Sequence, residues 1–217
     1  MPQGYVRALD LPQVIPVFPL AGAVVLPRGQ LPLNIFEPRY LNMVDDAMAG
    51  DRIIGMVQPL GGSATLPGLA RVGCAGRITS FAETSDGRYL ITVVGRIRFR
   101  IKDELPLEGG FRRVAADYGA FMDDLDEVEL DREARRRLME ALRQYFEHIN
   151  YDVDWASLEQ TPDRALVAAM AMACPFEPAE KQALLEARDL AGRAGALTTI
   201  LEMAAAEAGS PDPGQRH

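Results

Sequence analysis

The chain has 217 residues and a formal net charge of −8, and 48% of its residues are hydrophobic while 25% are charged. This composition is ordinary for a globular protein of one or two domains, with enough apolar residues to form a core. The negative charge argues against generic nucleic-acid binding, which depends on phosphate neutralisation, and the absence of an apolar run of about 18 residues argues against a membrane span.

The first predicted domain is rich in β-strands and covers residues 14–120, after an arm at residues 1–13 that shows no periodicity. Prolines close its first apolar runs, as they commonly do at strand ends. The predicted strands are 14–18, 24–26, 31–36, 53–57, 78–83, 89–94, 96–102 and 111–118. A helix is predicted to begin at Pro38 and to end at Gly50, since proline suits the first helical position and glycine the position after the last.

A long loop is predicted at residues 58–76, which contain five glycines, two prolines and no acidic residue, with a short strand at 70–72. Loops of this length in a compact domain are usually functional or mobile. Asp86-Gly87 then predicts a hairpin turn, because this pair tolerates the positive φ that a tight turn requires.

Residues 96–102 alternate strictly between basic and apolar side chains. In a half-buried strand, alternation of this kind predicts one inward and one outward face. The residues predicted to face the core are Ile97, Phe99 and Ile101. Those predicted to face solvent are Arg96, Arg98, Arg100 and Lys102.

The second predicted domain is a helical bundle over residues 121–208, followed by a disordered tail at residues 209–217. An acidic run at residues 123–131, with six acids in nine positions, marks the boundary. Apolar residues then recur every three or four positions, which is typical of amphipathic helices. The predicted helix starts are Asp131, Pro162, Pro178 and Asp189.

The first domain contains a series of short motifs: P-V-F-P-L at 16–20, P-L-N-I-F-E-P-R-Y at 32–40, R-I-I-G-M-V-Q-P at 52–59, G-C-A-G-R-I at 73–78, D-G-R-Y at 86–89 and G-R-I-R-F-R-I at 95–101. Together these motifs resemble the amino-terminal substrate-binding domain of the Lon family of ATP-dependent proteases. A fainter similarity at 180–186 extends the resemblance over roughly residues 14–201. It implies an α+β protein, with a PUA-like open β-barrel followed by helices, that binds unfolded or partly folded polypeptides or a partner protein.

The sequence lacks the motifs of the ATPase and serine-lysine peptidase parts of a complete Lon protease. No G-x-x-x-x-G-K-[ST] phosphate loop occurs, and none of the five serines lies between glycines in a nucleophile motif. Its two lysines, Lys102 and Lys181, have no evident reason to lose their protons. We therefore predict a non-catalytic protein with no catalytic residue and no cofactor, while a hydrolase with an unrecognised site remains an alternative.

No metal site is predicted. His148 has no second histidine at metal-binding spacing, and the acidic run lacks the pattern of a calcium loop. Cys74 and Cys174 are predicted to be small buried hydrophobes. Together with the absence of a recognisable signal peptide, they predict a reducing, cytoplasmic setting.

The polypeptide-binding surface is predicted on the long loop. Its candidate residues are Leu60, Leu66 and Leu69, together with Met56 of the preceding strand. Leucines in a weakly charged loop are suited to contact with apolar segments of a client. The alternative is that these leucines fold back onto the barrel and only close its mouth.

A second candidate surface, for RNA or a ribonucleoprotein, is the basic face formed by Arg96, Arg98, Arg100 and Lys102, with Arg112 and Arg113 as an extension. No aromatic residue shares this face to stack a base, which disfavours RNA. The other interpretation is a solvated strand face whose charges pair with Glu104, Glu108 or the acidic run.

Overall fold

The computed structural model describes residues 10–61 and 66–208. They form an α+β protein that divides into two compact units. Unit 1 contains the described residues up to Glu127 together with Ala168–Glu186, and unit 2 contains Val128–Val167 together with the described residues from Ala187 onward. The predicted tail at 209–217 and residues 1–9 of the predicted arm lie outside the described residues.

The described strands form one mixed sheet in unit 1. They are β1 (Val14–Pro19), β2 (Gln30–Ile35), β3 (Ile53–Val57), β4 (Val72–Glu83), β5 (Tyr89–Glu108) and β6 (Phe111–Asp117). Their order is β2-β5-β4-β3-β1-β6, and β5 also pairs with β6. The first part of β5 pairs with β4 and the last part with β6, so β1, β3, β4, β5 and β6 pair in a closed circuit.

Residues 24–26 are buried but form no strand, which corrects the prediction for this segment. The turn that follows them bonds to Gly95 in the middle of β5, with Arg28 N donating to Gly95 O at 3.0 Å and Gly95 N donating to Gly29 O at 2.9 Å. A Cβ atom at Gly95 would lie 2.0 Å from the carbonyl oxygen of Leu26. Glycine is therefore required here, because the backbone of the buried segment crosses β5 at this point.

Most of the described helices begin at or next to the residues where the sequence predicts them to begin. They are α1 (Pro38–Ala49), α2 (Arg132–His148), α3 (Trp155–Gln160), α4 (Asp163–Ala173), α5 (Pro178–Glu186) and α6 (Leu190–Ala208), with a 3-10 segment at Gly119–Leu125. Asp131 caps α2 by accepting a hydrogen bond from Ala134 N at 2.8 Å, and Asp189 accepts one from Gly192 N at 2.8 Å. Carboxylates at these positions satisfy backbone donors that the helix itself leaves unpaired. The sequence analysis did not predict α3 or the 3-10 segment.

Helix α5 belongs to unit 1 with the sheet, and this differs from the predicted bundle over residues 121–208. Gln182 Nε2 donates to Val72 O at 3.1 Å, and Gln58 Nε2 donates to Pro178 O at 2.7 Å. These bonds attach the helix to the start of β4 and the end of β3. The chain therefore returns to the sheet after entering unit 2.

Residues 11–13 of the predicted arm are also held against unit 1. Leu11 is buried. The carbonyl of Pro12 accepts a hydrogen bond from the Tyr118 hydroxyl at 2.8 Å, and that of Gln13 accepts one from Ala116 N at 2.9 Å. The segment just before β1 thus continues the pairing of β1 with β6.

Unit 2 has its core between α2 and α6. Its fully buried leucines are Leu138, Leu142, Leu197 and Leu201. Asp163 at the start of α4 accepts a hydrogen bond from Leu130 N at 2.7 Å and pairs with Arg135. No helix in the described part of the chain is long and apolar enough to cross a membrane.

Candidate polypeptide-binding site

Arg98 is buried, which corrects the prediction that it faces solvent; its exposed fraction is 1%. Its guanidinium makes a two-point contact with Asp124, with Nε to Oδ2 at 2.8 Å and Nη2 to Oδ1 at 2.9 Å. Arg98 Nη1 donates to Leu185 O at 3.1 Å, and the guanidinium carbon lies 4.5 Å from the centre of the Phe121 ring. Arg98 therefore ties β5 to the 3-10 segment and α5, and it is not available to a partner.

The other basic residues do not form the continuous face that the alternation predicts. Arg96 is half-buried, whereas Arg100 and Lys102 are exposed. The predicted extension is paired internally, since Arg112 binds Glu104 and Arg113 binds Glu108. Arginines of this region therefore pair with Glu104, with Glu108 and with Asp124 of the acidic run. The pair between Arg98 and Asp124 is buried rather than solvated. The geometry adds no support to RNA binding.

The four residues predicted to bind a client separate into two groups. Met56 on β3 and Leu69 are buried, with exposed fractions of 1% and 8%, whereas Leu60 and Leu66 are exposed at 52% and 55%. The base of the loop is closed by a short antiparallel contact, in which Leu60 N donates to Gly68 O at 2.8 Å and Ala70 N to Gln58 O at 2.9 Å. Only the two exposed leucines are accessible to a client. The fold-back alternative holds for Leu69.

A groove of about 220 Å³ lies beside the C-terminal end of this loop, within unit 1. Its lining combines leucine, proline and aromatic side chains with two arginines. The residues are Pro19, Arg39, Tyr40, Pro59, Leu66, Pro67, Leu107, Gly110, Phe111 and Arg112. Leu66 and Leu107 are its most exposed apolar members, at 55% and 58%. The groove therefore includes one predicted residue, Leu66, and excludes Leu60, Leu69 and Met56.

Another part of the groove lining comes from the turn between β5 and β6. Gly109 and Gly110 both have positive φ, at 59° and 84°, and so allow the tight reversal that brings Leu107 and Phe111 to the groove. Asn42 of α1 donates to Gly109 O at 3.0 Å and fixes the turn against the helix. A rigid helix and a hydrogen-bonded turn thus shape this side.

Arg112 positions the loop side of the groove. It is buried, its Nη1 donates to Pro67 O at 2.6 Å, and its Nε and Nη2 contact Glu104 Oε2 at 3.1 Å and 2.5 Å. A charged donor on the Pro67 carbonyl holds the end of the loop to β6. This arginine is therefore committed to the structure of the groove wall.

Arg39 and Tyr40 supply the polar character at the other end. Arg39 is exposed, lies 4.6 Å over the Tyr40 ring and pairs with Glu37 at 2.7 Å. Burial raises the pKa of the Tyr40 phenol above its ordinary value, although the Arg39 guanidinium opposes this shift. The phenol is consequently neutral at physiological pH and can donate a hydrogen bond.

This arrangement is suited to an extended polypeptide. Apolar walls with a few directed polar groups are the usual composition of a ligand site, and extended peptides bind through alternate side chains together with main-chain hydrogen bonds. Leu66, Leu107 and Phe111 offer contacts for apolar side chains. Arg39 and Tyr40 offer donors for main-chain carbonyls.

The lysine, serine and cysteine side chains that could take part in catalysis lie in surroundings that a purely structural role explains. Lys181 is buried and its Nζ donates to Met172 O at 3.2 Å near the end of α4, while Ser157 is an exposed residue in the first turn of α3. Both cysteines are buried, and burial raises the pKa of the Cys174 thiol to about 11. In the ranges that the structure describes, no cluster of three or more histidine, cysteine or acidic side chains is placed to hold a metal ion.

The mixed sheet with its closed circuit of pairings and the groove with its apolar and polar lining define an α+β protein with a candidate polypeptide-binding surface. The fold is shared with two solved structures. The Lon N-terminal domain protein from Xanthomonas campestris is 22% identical, with a TM-score of 0.64 over 86% of this chain and 97% of that one. The N-terminal domain of Mycobacterium avium complex Lon protease is 19% identical, with a TM-score of 0.65 over 87% of this chain and 97% of that one.

Comparison of the sequence with known protein families identifies the family of this chain. A profile of the ATP-dependent protease La (LON) substrate-binding domain matches residues 14–203. Lon protease 2 of Myxococcus xanthus is 28% identical over 93% of this chain, and the Lon protease of Syntrophus aciditrophicus is 26% identical over 90%. The chain therefore belongs to the Lon substrate-binding domain family. It spans about a quarter of the length of these relatives, 24% and 26% respectively.

Proposed function

We propose that this protein is a non-catalytic polypeptide-binding module and that the groove between the loop and the β5–β6 turn is its binding surface. The observation that carries the proposal is that two exposed leucines, Leu66 and Leu107, from separate segments of the chain line the same groove. Membership of a substrate-binding domain family supports the same function. We also propose that the protein acts as a recognition or adaptor protein in cytoplasmic proteolysis or quality control. Its sheet would then be a PUA-like open barrel that carries the binding surface.

The affinity of one groove for one client segment should be weak. Burying two leucine-sized side chains contributes about 3–6 kcal/mol before the cost of association, which removes much of it. A dissociation constant in the micromolar range is expected for a single contact. Useful retention of a client then requires several sites or a second anchor acting together.

Replacing both exposed leucines of the groove by serine, Leu66→Ser with Leu107→Ser, is expected to weaken binding to a denatured model polypeptide by about tenfold or more. Both side chains are on the surface, so the fold should survive. Binding is measured by fluorescence anisotropy, and the fold is checked by circular dichroism.

The matched control is Leu60→Ser with Leu90→Ser. These leucines are similarly exposed, at 52% and 45%, but do not line the groove. Their replacement should leave affinity within about twofold of the wild type. Equal losses in the two double variants would show that exposed apolar area in general, rather than this groove, binds the client.

Purified protein is expected to hydrolyse neither ATP nor an unfolded substrate such as casein. The sequence has no G-x-x-x-x-G-K-[ST] phosphate loop. In addition, Lys181 is bonded to the Met172 carbonyl, and Ser157 lies in the first turn of α3. Phosphate release and the appearance of acid-soluble peptides are the measurements. Turnover that survives repurification and is lost on mutation of Ser157 or Lys181 would contradict the non-catalytic assignment and favour a hydrolase.

A further inference from the structure

Unit 2 carries a surface cluster of aromatic rings that the groove in unit 1 does not use. Phe146 lies 5.6 Å from Tyr151 and 6.2 Å from Trp155, measured between ring centres. Tyr151 is 65% exposed and the adjacent Ile149 is 45% exposed. We call Phe146, Tyr151 and Trp155 with Ile149 the aromatic patch.

The patch is held by the end of α2. Tyr151 N donates to Phe146 O at 3.0 Å and Asn150 N donates to Glu147 O at 3.2 Å, while Asn150 has a positive φ of 52°. This is the Schellman arrangement, in which a left-handed residue ends a helix and the residue after it packs back on the last turn. The Tyr151–Phe146 contact is thus explained by helix capping. The 65% exposure of the Tyr151 side chain is not needed for that purpose.

The charges around the patch are mainly negative. Each of the three rings has an exposed acid next to it in sequence, namely Glu147, Asp152 and Asp154, and a fourth exposed acid, Glu159, lies four residues after Trp155. Asp154 is engaged in capping α3, where it accepts a hydrogen bond from Ser157 N at 3.1 Å. Glu147 and Asp152 are the acids nearest Phe146 and Tyr151 in sequence, and neither is paired with a basic side chain in the part of the chain that the structure describes, so both can meet a cation from a partner.

One arginine of the protein already shows how a cation fits here. The guanidinium of Arg143 lies 5.5 Å from the centre of the Trp155 ring and contacts Glu159 Oε1 at 2.6 Å. A planar cation stacked on an aromatic face and paired with a carboxylate is a favourable combination, and arginine achieves it better than lysine. The exposed ring of Tyr151 and the exposed carboxylates of Glu147 and Asp152 supply the same two kinds of chemical group on this surface.

We infer that the aromatic patch is a second polypeptide-binding surface, selective for arginine-bearing segments of another protein. The aromatic faces and the surrounding carboxylates recognise the guanidinium groups, and Ile149 adds an apolar contact. Arg143 is an internal competitor for this surface, because it occupies the face of Trp155 and the carboxylate of Glu159. The surface is independent of the groove proposed above.

The probe is a short fluorescent peptide of alternating arginine and leucine, and the controls are peptides with lysine or glutamate in place of arginine. Tyr151→Leu keeps the apolar contact with Phe146 but removes an aromatic face, and should weaken binding by about two- to fivefold. Glu147→Gln with Asp152→Asn should weaken it by about two- to tenfold. Glu140→Gln with Glu202→Gln removes two exposed charges of unit 2 outside the patch and should leave affinity within about twofold.

Arg143→Ala gives a test that loss of structure cannot imitate. It releases Trp155 and Glu159 for the peptide, so the affinity should rise by about two- to fivefold. Replacing the groove leucines, Leu66→Ser with Leu107→Ser, should leave binding of the arginine peptide unchanged, so failure of the groove and failure of the patch are distinguishable. The inference would be overturned if the lysine and arginine peptides bound equally, or if Glu140→Gln with Glu202→Gln weakened peptide binding as much as Glu147→Gln with Asp152→Asn. It would also be overturned if Arg143→Ala did not tighten peptide binding, or if the only effect of Tyr151→Leu were to abolish self-association of the protein.

Discussion

Arg98→Ala is expected to lower the free energy of unfolding by about 3–5 kcal/mol, because it removes the guanidinium that neutralises the buried Asp124 carboxylate. Asp124 is 3% exposed and also accepts a hydrogen bond from Arg98 N at 3.1 Å. The substitution also removes the donor to Leu185 O on α5. Such a loss is a large share of the total stability of a typical domain, which is about 5–15 kcal/mol. Urea denaturation followed by circular dichroism measures it.

Arg100→Ala is the control. It lies two residues along the same strand, is exposed, and should cost about 0.5 kcal/mol or less. A further variant distinguishes the effect of the ion pair from the effect of packing. Arg98→Met combined with Asp124→Leu replaces both charges by apolar groups, and it should lower the free energy of unfolding by less than Arg98→Ala alone. Equal costs for Arg98→Ala and Arg100→Ala would show that Arg98 faces solvent, as the alternation in the sequence predicts.

The local signals in the sequence predicted local structure well. Pro38 and Gly50 bound α1 as predicted, Asp131 and Asp189 cap their helices, and Asp86-Gly87 forms the β4–β5 turn with Gly87 at a φ of 78°. Each of these features depends on residues within a few positions of one another. Composition and spacing contain that information directly.

The burial of Arg98 could not be predicted in the same way. The period of two correctly separates the faces of β5, but it assumes that the second face meets water. In the structure this face meets Asp124 and Leu185, which lie 26 and 87 residues away in the sequence. In the sequence the acidic run marks a domain boundary, and nothing in the spacing of its acids distinguishes Asp124 from its exposed neighbour Asp123.

The sequence predicts only one of the residues that line the groove as a polypeptide-binding residue. Leucines in a loop without acids pointed to Leu66, but the same signal selected Leu69, which is buried. The rest of the lining includes Tyr40 at the start of α1 and Leu107 and Phe111 beside the β5–β6 turn. The long-range pairings of β6 with β1 and β5 help to bring such distant segments together. A site assembled from four distant segments has no continuous motif to find.

Phe99→Ala is expected to cost about 3–5 kcal/mol, because the ring is fully buried at the centre of unit 1 and its removal leaves a cavity. Its burial confirms the inward orientation predicted from the alternation. Two glycines make room for the ring, since a Cβ atom would lie 2.8 Å from Phe99 Cζ at Gly55 and 2.9 Å from it at Gly73. Small neighbours of this kind cannot move in to fill the space, so the cost should lie toward the upper end of the range.

The pair Phe99 and Gly55 allows a sharper measurement than the single substitution. Gly55→Ala should destabilise the wild type by about 1–3 kcal/mol, because its new methyl group presses on the ring and on the side chains of Ile15 and Val17. In the Phe99→Ala background the same methyl group enters the cavity, so Gly55→Ala should cost less there or become stabilising. The coupling free energy from urea denaturation of the four proteins checks this. Additive costs, with no dependence of the Gly55→Ala effect on the ring, would show that Phe99 does not occupy the space above Gly55.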